Sequence, residues 1–177
     1  MTAALSAIGF STASARIWKA TPEAIARDYA TINDTRPDGK LVMLMWFVPT
    51  MVRPDTPGAA TLTAVLQKYV VIMAVHGQLN KTMGSLSFDD VATLEAKDQS
   101  NKALAAVARK DLPPTTIGVL TVLETFFRQS LGAMGKGMKM FVFDSGSVDA
   151  CKRGKLSVPL AGETYTWDTP IPGCPGR

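Results

Sequence analysis

The chain has 177 residues, 19 Lys+Arg against 15 Asp+Glu, and a single histidine. That length suits one domain, taken here as residues 16–177, large enough to bury about 70% of its unfolded surface. An apolar content of 46% excludes wholesale disorder, and one histidine excludes the multi-histidine zinc sites. No apolar run is long enough to span a bilayer as a helix. The net charge of +4 is spread among acids with no basic run interleaved with aromatics, so no nucleic-acid partner is expected. Charged residues make up only 19%, so Thr, Ser, Asn and Gln must cover much of the surface.

Residues 1–15 carry no charge and close on Ala13-Ser14-Ala15, which reads as a truncated or degenerate secretory signal or as a flexible arm. Thr21-Pro22-Glu23 has the form of a helix start, and Ile25, Tyr29 and Ile32 carry a short helix to about Ile32. Arg36-Pro37-Asp38-Gly39 is a turn. Leu41 to Val48 is apolar throughout and stops at Pro49, as a strand buried on both faces does. Thr50 to Pro57 reads as a loop and Gly58 to Gln67 as a helix.

Lys68 to His76 is β-like, and Gly84 to Phe88 is a half-buried strand. Ala92, Leu94 and Ala96 alternate with polar residues, the pattern of another one-sided strand. Asp98 to Asn101 is turn-rich, and Leu104 to Val107 fits a partner strand or a short helix. After Pro113-Pro114, the stripe Ile117, Leu120, Leu123, Phe127 and Leu131 predicts an amphipathic helix ended by Gly132, with Glu124 four before Arg128. Met138 to Phe143 is a strand, and Lys155–Leu160 with Glu163–Trp167 forms a closing hairpin. The expected fold is α+β: a largely antiparallel sheet packed by one long amphipathic helix and one or two shorter ones.

Cys151 and Cys174 are the only cysteines, separated by a stretch that turns often. A bridge there closes a loop of about 24 residues and contributes about 3 kcal/mol. Together with the apolar N-terminus it points to an oxidising, extracytoplasmic setting, periplasmic or secreted.

Tyr165 and Trp167 share one strand face with Glu163 and Asp168 at its ends. An open face makes a platform for a ligand, a protein partner or a homodimer contact; a closed one makes a covered aromatic core. His76 with Ser145 or Ser147 and an acid such as Asp144 is the raw material of a hydrolase, yet no nucleophile elbow accompanies it. Met73, His76, Met134, Met138 and Met140 are a set that suits Cu(I), against which stands methionine's ordinary use as core filler. The glycines of Gly132–Gly137 follow a helix rather than precede one, the wrong polarity for a phosphate cradle. The reading is an exported, non-catalytic protein, without a cofactor, that binds a protein partner or a small ligand; hydrolase and Cu(I) carrier are its alternatives.

Overall fold

A computed structural model describes residues 22–33, 38–80 and 82–175. Residues 1–15, the expected cap residue Thr21 and the Arg36-Pro37 half of the expected turn lie outside them.

The fold is α+β and is organised by its most apolar strands. Strand β1 (Ala30–Asn33) follows helix α1 (Pro22–Tyr29), and β2 (Lys40–Phe47) and β3 (Tyr69–Asn80) form the centre of an antiparallel sheet. Between them lie a 3-10 turn at Pro49–Met51 and helix α2 (Ala59–Lys68). One edge of β3 pairs with β2 from Val71↔Phe47 to Gln78↔Lys40. Its other edge is shared end to end: β5 (Lys139–Asp144) takes Tyr69 to Ala74, and β4 (Ser85–Phe88) takes Gly77 to Asn80. Because β2 and β3 are central strands, every side chain from Leu41 to Phe47 and from Tyr69 to Val75 is buried, as the unbroken apolar runs predict.

The sheet separates two cores. On one face Val42, Leu44, Trp46, Val70, Ile72 and Phe143 meet the hairpin of β6 (Gly154–Leu160) and β7 (Glu163–Thr169). On the other face Met43, Met45, Phe47, Val71, Met73 and Val142 are covered by α2 and by α3 (Pro114–Ser130), chiefly through Val65, Leu66 and Leu120. The hairpin turn places Ala161 at φ 54° and Gly162 at φ 82°. Two successive positive-φ residues match the right-handed twist of a tight hairpin.

Four expectations change. The first helix ends at Tyr29 rather than about Ile32, and Ala30–Asn33 instead pairs with Val42–Met45, closing the otherwise open edge of β2. Residues 92–96 form no ladder: Leu94 and Ala96 are buried as alternation requires, but Ala92 is exposed and Val91 takes the buried place. That extended segment is fastened at its end by reciprocal Lys97–Ser157 backbone bonds of 2.8 and 2.9 Å. Residues 104–107 are neither a strand nor a helix; Val107 donates to Val142 and Asp144 to Ala105, closing the free edge of β5. Lastly, Glu124 does not pair with Arg128. It pairs with Arg109 at 2.7 Å, while Arg128 donates to the Gly135 and Met138 carbonyls at 3.1 and 3.4 Å.

Candidate functional site

The aromatic face of the hairpin is closed. Tyr165 is 7% exposed and Trp167 6%, both inside the core beneath the sheet. Trp167 meets Trp46 edge-on at 6.3 Å, and its indole N–H donates to Tyr29 O at 3.2 Å. The C-terminal tail supplies the cover: Ile171 and Cys174 are buried with the rings, and the Tyr29 hydroxyl donates to Pro172 O. Glu163 and Asp168 stay exposed at the strand ends, where Glu163 accepts from Asn33 and Tyr165. Of the two readings of this face, the covered core holds: the rings lie in one core with the sheet face and with the folded-back tail. Cys151 and Cys174 form the disulfide that holds it, with S–S 2.05 Å and Cα–Cα 5.3 Å.

The sheet also scatters the two catalytic or metal sets. Ser145 follows Asp144, which lies opposite Tyr69 at the start of β3, whereas His76 lies seven residues further along that strand. At roughly 3.3 Å per residue the hydroxyl and the imidazole are more than about 20 Å apart. Ser147 is committed elsewhere, donating to Asp98 at 2.6 Å. His76 does meet an acid, Asp89, at 3.4 Å from its Nδ1, but its Nε2 is buried without a hydrogen-bond partner. A general base must reach a substrate proton, and this nitrogen faces protein.

The methionines gather without the histidine. Met45, Met73 and Met140 are register neighbours across β2, β3 and β5, and Met134 and Met138 join the same helix-side core. Strand alternation sends His76 to the opposite face from Met73. The five-residue copper set is thus split by the sheet, and its thioethers fill the core under the helices. Among the described residues, no group of three or more His, Cys, Asp or Glu side chains is placed to hold a metal ion.

The glycine-rich segment serves close packing. A Cβ on Gly135 would lie 2.0 Å from Arg128 O, and one on Gly137 would lie 2.2 Å from the Phe88 ring.

Two features remain that can engage another molecule. The first is a cleft of about 600 Å³ at the Trp46–Tyr69 end of the sheet, walled by residues 145–152. That wall is irregular yet fixed. Asp98 accepts from Ser147 Oγ, Ser100 Oγ and the Ser100 and Lys102 amides. The Ser100 and Ser147 hydroxyls, aided by those amides, hold the Asp98 carboxyl far below the ordinary carboxylate range against the opposing cost of burial. Beyond it, Lys152 at 2.9 Å and the Cys151 amide lower the Asp149 carboxyl.

The second feature is the outer face of the helical layer. Val122 is 69% exposed and Phe126 60%, adjacent on one ridge of α3. Residues 56–67 contain no charge, and α3 holds only Glu124 and Arg128, both engaged as described above. The hydroxyls of Thr121, Thr125 and Ser130 are turned back to the carbonyls of Ile117, Thr121 and Phe126. Along the Gly118–Val122–Phe126 ridge α3 therefore presents apolar groups to solvent, while Thr115, Arg128, Gln129 and Ser130 are exposed towards its ends. The expected stripe faces inward only in part: Leu120 is buried, Ile117, Leu123 and Phe127 are half-buried, and Thr116 takes a buried place. Val119, Val122 and Phe126 form a second apolar stripe, legible in the sequence by its spacing.

No protein-family model, curated protein or solved structure matches the chain.

Proposed function

We propose that this is an extracytoplasmic, non-catalytic binding protein that engages a protein partner through the outer face of its helical layer. The observation carrying this reading is the exposure of Val122 and Phe126 on a helix whose neighbouring hydroxyls, Thr121 and Thr125, are bonded back to its own carbonyls. A solvated helix ordinarily turns charges outward, and a contiguous apolar face on a soluble chain marks a contact surface. The disulfide supports the oxidising compartment. No described helix is long and apolar enough to cross a membrane.

A photo-crosslinking residue at position 122, in the full chain expressed in its own cells, tests this. Adducts from position 122 but not from exposed Thr164 on the hairpin are expected; none from position 122 overturns the reading.

A second reading rests on the cleft. Its size suits a small molecule, and its wall is pre-organised by Asp98 and the disulfide. Val148→Trp, which fills it, would abolish small-ligand uptake and leave crosslinking from position 122 intact.

A further inference from the structure

Resting on the reading that the helical layer is a contact face, we infer that the partner is a second copy of this chain, paired antiparallel along α3 about a two-fold axis at Val122. The geometry comes from three residues on one helical ridge: Gly118, Val122 and Phe126, each four apart. With the axis at Val122, Phe126 of each copy faces Gly118 of the other. A two-fold contact requires this kind of reciprocity, in which a knob and its socket sit at equal distances from the axis.

Gly118 is the independent observation. Glycine inside an exposed helix is weaker than alanine, so its presence asks for a reason. Its backbone φ is not in the left-handed region, and a Cβ built there meets nothing within 4 Å. No contact within the single chain needs the side chain to be missing. A phenyl ring arriving from a second copy does.

Charge narrows the occupant further. Near a two-fold axis every residue meets its own copy, so a charge there would face a like charge. This ridge carries none; beside it Arg109 is neutralised by Glu124 at 2.7 Å and donates to Thr121, and Arg128 donates to the Gly135 and Met138 carbonyls. A lipid surface is the poorer fit, since helices that lie on membranes carry lysine and arginine beside their apolar face. Size is adequate for a modest dimer. A 17-residue helix is about 26 Å long, and with α2 beside it the layer offers about 500 Å² in projection. That approaches the roughly 800 Å² of accessible surface per partner in a standard interface, so the association is concentration-dependent rather than permanent.

Sedimentation velocity of the full purified chain from micromolar to millimolar concentration tests the inference. The expected result is a shift from monomer to dimer mass, with Phe126→Ser and Gly118→Gln each weakening it by about tenfold or more. Gly118→Gln should melt no lower than wild type, because glutamine is the better helix former and the space is open; loss of fold is thereby separated from loss of pairing. A chain that stays monomeric throughout, or a dimer indifferent to both substitutions, overturns the inference. So does flotation of the wild-type chain, but not Phe126→Ser, with vesicles of phosphatidylcholine and phosphatidylserine. The crosslinking experiment separates the two levels. An adduct of a different mass from position 122 defeats self-pairing alone, and no adduct defeats the contact face as well.

Discussion

The indole N–H of Trp167 donates to the carbonyl oxygen of Tyr29 at 3.2 Å, across 138 residues of sequence. That bond ties the C-terminal hairpin to the point where α1 gives way to β1, and it is wholly buried. Its donor has no water to fall back on, so the bond is costly to lose. Trp167→Ala should cost about 3–5 kcal/mol, mostly through the cavity left beside Trp46. Trp167→Phe should cost less but more than a buried ring swap alone, because the buried indole N–H bond to the Tyr29 carbonyl is lost. Chemical denaturation of the three proteins checks the order.

Reducing the Cys151–Cys174 bridge releases the tail that covers the same rings. Cys151→Ser with Cys174→Ser should lower stability by about 3 kcal/mol, the chain-entropy value for a loop of this length. Tryptophan emission should shift to the red before the bulk of the fold is lost, since Ile171 and Cys174 belong to the same buried core as Trp167. Unchanged stability on reduction would mean that the tail is held by packing alone.

Asp98 predicts an acid-sensitive loop anchor. Its folded carboxyl titrates far below the usual value of about 3.9, so the folded state binds fewer protons than the unfolded state as acid is added. The stability it supplies is therefore fully present above the ordinary carboxylate range and is lost as the pH falls through and below it. Asp98→Asn should lower the melting temperature at neutral pH, and the gap from wild type should close on acidification. Melting curves at a series of pH values check this. A gap that persists undiminished in acid would show that the side chain acts by shape and not by charge.

The two leucines of α3 should respond differently. Leu120 is 2% exposed and packs under the sheet, so Leu120→Ala should cost about 2–5 kcal/mol. Leu123 is only half-buried, and Leu123→Ala should fall below that range. Equal losses measured by urea denaturation would contradict the placement of the helix.

Patterns that repeat along the chain survive folding because neighbouring residues enforce them. The apolar run of β2, the proline-led start of α3, the β6–β7 hairpin and the Cys151–Cys174 pair are all where local chemistry puts them. Alternation also places Tyr165 and Trp167 on one face and Met43 with Met45 on another, in each case correctly. Partners distant in the chain decide the rest. Ala30–Asn33 becomes a strand because β2 has an open edge, and residues 92–96 do not because no ladder reaches them. Register alone separates His76 from Ser145, and the sheet itself separates His76 from the methionines. Burial of the aromatic pair depends on the sheet face and on a tail folded back from beyond the strand. The same holds for α3: spacing shows two apolar stripes, and only the packing of Leu120 against the sheet leaves Val122 and Phe126 facing out. Local sequence dictates which face of an element is apolar; which apolar face goes uncovered is settled by the layers, since each can bury only one side against the sheet.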